Sequence, residues 1–204
     1  TNNTDLGAID FKGSIEGNSF DIDKLKTSIS GDIRSIQYKN YDYKSIVTNG
    51  TFQKRYFSGD IIINDPNLNF TSSVEINFNQ NIPAFNIVGD LAYSNLKALK
   101  LYPKFIEVTG LLDANFSGSN LDNFIGNAKF LNANINDSTT KLTFDSLALQ
   151  ASMIGKEKLI TLKSNDFNAS INGQFNVADL PKSIQSFLHH YYPNYIEAPG
   201  KLST

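Results

Sequence analysis

The sequence predicts an all-β chain: a curled antiparallel meander of roughly a dozen strands, a β-groove folded like a taco, with one short C-terminal amphipathic helix. Three observations carry that prediction. Apolar and polar residues alternate strictly over long runs, as strands with one dry and one wet face require. An apolar-x-Gly-x-apolar pattern recurs seven times in phase with that alternation. Neighbouring copies lie 18, 19, 9, 30, 21 and 63 residues apart. Most of these gaps are near multiples of a strand plus its turn, about 9–10 residues.

The first strand sets Ile9, Phe11, Gly13 and Ile15 against Asp10, Lys12, Ser14 and Glu16. The second carries Ile29-x-Gly31-x-Ile33 and the third Thr48-x-Gly50-x-Phe52, a looser copy at its first position. Asn49-Gly50 has hairpin-turn composition, but Ile46, Thr48, Gly50 and Phe52 keep one phase, which places it mid-strand. Phe57-x-Gly59-x-Ile61 follows, and Asp65-Pro66-Asn67 supplies a turn in which proline presets φ. The next run is the longest clean alternation: Leu68, Phe70, Ser72, Val74, Ile76 and Phe78 face one way, and Asn69, Thr71, Ser73, Glu75 and Asn77 the other. Phe85 and Ile87-x-Gly89-x-Leu91 form another strand, and Val108-x-Gly110-x-Leu112, continuing to Phe116, a further one. Near the end, Phe167, Ala169, Ile171, Gly173 and Phe175 oppose Asn168, Ser170, Asn172 and Gln174.

Three segments break the rhythm. Leu96, Leu99 and Leu101 before Tyr102-Pro103 predict a short turn between strands. A short helix is predicted to start after Asn120 and run through Phe124. Residues 179–192 predict a capping helix, with Pro181 in its first turn and Ile184, Phe187, Leu188 and Tyr191 at helical spacing. That apolar stripe is expected to pack over one end of the sheet.

Glycine within a strand has no side chain to pack and marks a bend or a close approach. Each motif glycine shares its face with the two apolar residues beside it, so the sheet is expected to curl about that face. Gly13, Gly31, Gly50, Gly59, Gly89, Gly110 and Gly173 would then lie at the inside of the curve, and the apolar residues named above would line the groove.

The totals remove several function classes. With 19% charged residues and a net charge of -2, the chain lacks the basic stripe of a nucleic-acid platform. Cysteine is absent, which removes thiolate chemistry and cysteine–zinc sites. Asparagine occurs 25 times, so the wet faces are neutral and hydrogen-bonding rather than charged. The only histidines, His189 and His190, are adjacent and point about 100° apart on a helix, unlike an i, i+4 metal pair. The carboxylates are scattered over polar faces, and no nucleophile elbow, phosphate loop or calcium loop is present. The residues call for no enzyme, no cofactor and no metal.

Several segments together resemble a known family. They are Ser28-Ile-Ser-Gly31-Asp-Ile33, Tyr41-Asp-Tyr43-Lys through Asn49-Gly50-Thr-Phe52, and Phe57-Ser-Gly59-Asp-Ile61 to Leu68-Asn-Phe70. Phe85-Asn-Ile87-Val-Gly89-Asp-Leu91 followed by Leu96-x-x-Leu99-x-Leu101, and Phe167 to Phe175 followed by Leu180-Pro181, fit the same pattern. From about Ile9 to Tyr192 the chain resembles the translocation and assembly module protein TamB in its Bacteroidetes form, within the AsmA-like group. The resemblance implies that residues 1–204 are one β-groove domain, a fragment of a longer periplasmic protein anchored in the inner membrane. It implies transfer of phospholipids between membranes, support of outer-membrane protein assembly, and an outer-membrane barrel of the Omp85 class as partner of the whole protein.

The residues themselves are compatible with that expectation. An apolar groove with a wet exterior holds acyl chains in water, at about 0.8 kcal/mol for each buried CH₂. Two other classes stay open. A surface β-sandwich binding glycan or protein would show Tyr38, Tyr41, Tyr43 and Tyr56 on its polar side. A lipid-embedded barrel would turn the apolar residues outward.

Overall fold

A computed structural model describes residues 6–19, 21, 25–119 and 122–199. Alternating apolar and polar residues build eleven antiparallel strands, close to the dozen expected. These are β1 (Leu6–Gly17), β2 (Lys26–Tyr38), β3 (Tyr41–Gln53), β4 (Tyr56–Asp65), β5 (Leu68–Asn77) and β6 (Ala84–Ser94), then β7 (Glu107–Ser117), β8 (Ile125–Asn136), β9 (Lys141–Ile154), β10 (Glu157–Ser164) and β11 (Asn168–Gly173). Their order in the sheet is their order in the chain, so every connection joins neighbours and β1 and β11 are left as free edges. The sheet is open.

The expected punctuation is in place. Asp65 ends β4 and Leu68 starts β5, with Asn67 N–H donating to the Asp65 carboxylate across the turn. Asn49 and Gly50 lie mid-strand, opposite Asp60 and Gly59. The 95–106 segment forms turns: Asn95 Oδ1 accepts from Ala98 N–H, and the Leu96 carbonyl accepts from Leu101 and Tyr102 N–H. Leu99 from this segment is the most enclosed apolar side chain, 1% exposed.

The helical expectations fare less evenly. The C-terminal helix α1 spans Leu180–Tyr191 after a 3₁₀ turn at Val177–Asp179. Its docking over the sheet is not seen. Ile184, Phe187 and Tyr191 are each more than half exposed, and no Cα of the helix lies within 8 Å of a strand. The helix satisfies its own backbone and sets Phe187 against Tyr191 one turn away, tilted with ring centroids 4.9 Å apart, so it forms without a sheet beneath it. Asp122 to Phe124 carry no helix, and Asn120 lies outside the described residues. Asn123 Oδ1 instead accepts from Ser119 N–H and builds a local turn.

Burial decides between an open groove and a sandwich. Among the described residues only Ile46, Val74, Leu99, Ala114, Ala133 and Ala151 are buried apolar side chains. A two-layer core of this length would enclose most of its inward residues. Here most of them stay partly exposed, because among the described residues no strand or helix packs across them from beyond its neighbours in the sheet.

Candidate functional site

The register places apolar residues in rows that cross every strand. One row runs Ile15, Ile29, Gly50, Gly59, Val74, Ile87, Ala114, Ala128, Leu149, Leu162 and Ala169, each paired with the next. It contains no polar side chain. The row one residue away runs Glu16, Ser28, Thr51, Ser58, Glu75, Asn86, Asn115, Asn127, Gln150, Thr161 and Ser170, and it contains no apolar one. Because successive side chains point to opposite faces, the sheet has one dry face and one wet face along its whole width. The wet face carries hydrogen-bonded ladders: Ser30 Oγ donates to Asn49, Ser73 Oγ to Asp60, and Asn86 Nδ2 to Glu75.

Glycines let the strands close toward the dry face. A Cβ added to Gly31 would lie 2.5 Å from the Phe11 ring and 2.9 Å from Gly13 Cα, its cross-strand partner. Phe57 covers Gly50 and Gly59 in the same way, and Phe70 covers Gly89. The phenylalanine of one motif thus lies over glycines of its own and the neighbouring strand and fills the space their missing side chains leave. Gly110 and Gly126 meet neighbouring backbone too, at φ of 149° and 143°. Gly126 had a legible signal, since Phe124-x-Gly126-x-Ala128 repeats the motif with alanine at its end. Gly173 is different, and its assignment to the curve is corrected. A Cβ there meets nothing within 4 Å, and its φ of 147° is what favours glycine.

The other predicted residues fall as follows. Phe11 and Ile33 pair across β1 and β2, Phe52 with Phe57 and Phe57 with Ile76, Phe70 with Leu91, and Phe85 with Phe116, whose rings stack at 4.9 Å. Ile61 and Leu112 continue the dry face beside Gly59 and Gly110, and Ile171 pairs with Ile160. Val108 lies at the start of β7, where its carbonyl accepts from Ser94 Oγ. Leu68 pairs with Asp65 at the same end. Phe78, just past β5, approaches Phe52 at 6.5 Å, and Phe167, just before β11, meets Phe144 edge-on. Phe175 follows β11 and lies under the Lys158 ammonium. Ile9 and Ile15, on the free edge strand, are 53% and 65% exposed.

Sequence reading missed residues for two reasons. Against β1 the β2 strand carries one extra residue, Arg34, since Asp10 pairs with Ser35 but Phe11 with Ile33. This shift puts Ile36, the partner of Ile9, on the dry face, and Tyr43, opposite Ile36 and beyond Ser45 at φ 53°, goes with it. A similar shift lies between β7 and β8, where Thr109 pairs with Asn134 but Leu111 with Leu131. β8 thus carries an extra residue beside Asn132 (φ 51°), and Ala133 and its partner Phe144 come into line. Between Gly110 and Gly173 only the Gly126 copy, ending in alanine, repeats the glycine motif, so Phe130, Leu147, Leu149, Ile160 and Leu162 carry no glycine signal; the alternation Leu147-Ala148-Leu149 is their mark.

The two ends of the strands are built differently. At one end Asp65, 6% exposed, accepts from Tyr41 OH, Lys44 N–H and Asn67 N–H, while Asn67 Nδ2 donates to Tyr41. Burial and then the Asp65 hydrogen bond raise the Tyr41 hydroxyl above its ordinary pKa, and burial does the same for Tyr43. Tyr41 and Tyr43, in edge contact at 4.8 Å, therefore belong to the dry side and not to a polar glycan platform; Tyr56, beside Glu75, is on the wet side. At the other end, Asp122 from the β7–β8 connection reaches Lys158 on β10 and accepts from Val177 N–H beyond β11. Near the β1–β3 side of that end, Ile15, Leu25, Ile29 and Phe52 line a cleft of about 530 Å³.

No family model, curated protein or solved structure matches this chain. The histidines meet only local partners: His189 Nδ1–H donates to the Ile196 carbonyl, and His190 contacts Tyr191 edge-on. Among the described residues no group of three histidine or acidic side chains converges as metal ligands would, and none of their helices is long and apolar enough to cross a membrane.

Proposed function

We propose that this chain is a segment of a hydrophobic-groove protein that holds phospholipid acyl chains against its dry face while its wet face meets water. One observation carries the reading: an unbroken apolar row crosses all eleven strands and is at least partly exposed at all but Val74 and Ala114, while the adjacent row is entirely polar. A continuous apolar surface of this extent marks a site for an apolar partner. Acyl chains suit it because they need no hydrogen bonds and each CH₂ removed from water contributes about 0.8 kcal/mol. The resemblance to TamB proteins supplies the setting: a periplasmic part of an inner-membrane-anchored protein that carries lipid toward the outer membrane, supports protein assembly there, and works with an Omp85-class barrel. No step in this reading is chemical, so it needs no catalytic residue.

The test is site-specific photo-crosslinking in cells. A crosslinker replacing Ile87 or Val108, on the dry face, is expected to capture phospholipid. One replacing Asn86 or Glu107, a residue away on the wet face, is not. Equal capture from both faces, or none from either, would refute the proposal.

A further inference from the structure

Lys158 interrupts the dry face. It pairs with Met153 on β9 and Gly173 on β11, in phase with Ile160 and Leu162, yet ends in an ammonium. Its side chain is only 7% exposed. A buried ammonium requires compensation, and two groups face it. The Asp122 carboxylate is 3.8 Å away, beyond direct hydrogen-bond reach, and its Oδ1 accepts from Val177 N–H. The Phe175 ring centroid is 5.5 Å away.

These groups border a hollow of about 430 Å³ at the end of the sheet, which Lys156, Gln174 and Asn176 also line. Gly173 leaves its floor open, since a Cβ there would meet nothing within 4 Å. Two lysines stand in this lining against one carboxylate, Asp122, a net single positive charge beside the apolar floor of Met153 and Phe175.

We infer that this hollow is a phosphate subsite that seats the headgroup of a phospholipid whose acyl chain lies on the adjoining apolar face. The inference rests on the groove reading above and adds the ligand's polar end to it. Lys158 and Lys156 supply charge-assisted donors to the phosphate oxygens, and the Gln174 amide supplies a neutral one, while Asn176 Nδ2 donates to Asp179. Asp122 positions the Lys158 ammonium and anchors the connection that walls the hollow. A fully apolar ligand would gain nothing from this arrangement.

The test titrates the whole chain with three probes: dihexanoyl phosphatidylcholine below its micelle concentration, an uncharged alkyl maltoside, and inorganic phosphate. Lys158→Met and Lys156→Gln are each expected to weaken phosphatidylcholine binding about tenfold and to leave the maltoside unchanged. Lys158→Arg is expected to keep binding. Lys156 is exposed, so its variant carries the test if Lys158→Met fails to fold by circular dichroism. Unchanged phosphatidylcholine affinity in folded variants, with the maltoside still bound, overturns the headgroup subsite and leaves the groove standing. Inorganic phosphate binding as tightly as phosphatidylcholine overturns it in favour of a free-anion site. Binding of neither amphiphile overturns the groove and the subsite together.

Discussion

Gly31→Ala tests whether glycine sets the curl. Gly31 does not have a positive φ, so alanine is conformationally allowed there, and in an ordinary strand the change would stabilise by about 0.5–1 kcal/mol. Packing reverses the sign. The new methyl would sit 2.5 and 2.7 Å from two carbons of the Phe11 ring and 2.9 Å from Gly13 Cα. The ring can swing away because Phe11 is partly exposed, but the strand backbone cannot. Overpacking costs about 1–3 kcal/mol, and the net expectation is a loss of about 1–2 kcal/mol in urea unfolding followed by circular dichroism. Two of the three close contacts come from the ring, so the same change in a Phe11→Ala background should cost at least about 0.5 kcal/mol less, a coupling that a double-mutant cycle resolves. A neutral or stabilising Gly31→Ala, or a cycle with no coupling, would refute the view that ring and glycine together draw β1 and β2 toward the dry face.

Three further outcomes follow from particular contacts. Tyr41→Phe removes a donor to the enclosed Asp65 and should cost about 1–3 kcal/mol in the same unfolding assay; no loss would show that water replaces the hydroxyl. Tyr41 and Tyr43 hold their protons more tightly folded than unfolded. Their contribution is therefore complete below the unfolded tyrosine value of about 10 and falls as pH rises through the higher folded values. Melting curves should decline above that pH, and less steeply in Tyr41→Phe. Removal of the residues after Asp179 should leave the melting temperature within about 2 °C, because no Cα of the helix comes within 8 Å of a strand; a larger fall would show that its apolar stripe is docked.

Much of this protein is legible along the chain because strand periodicity is local. A residue's face follows from counting by two, so Phe70, Val74 and Ile76, or Ile87 and Leu91, could be placed without knowing what they pair with. The Asp65-Pro66-Asn67 turn and the α1 boundaries follow from equally local chemistry. Counting fails where an extra residue enters a strand. Arg34 is such a residue in β2, and only the pairing with β1 shows that Ile36, opposite Ile9, and Tyr43, opposite Ile36, rejoin the dry face. The ends of the groove were hidden for a related reason. Asp65 with Tyr41, and Lys158 with Asp122, are separated by 24 and 36 residues in the chain and meet only because the meander stacks its turns in register. Whether the apolar face is covered was likewise beyond the sequence. Alternation states which side avoids water, while the presence of a second layer depends on where distant segments fold back. Here strand order follows chain order from β1 to β11, so among the described residues no strand or helix returns across the sheet and the dry face stays open.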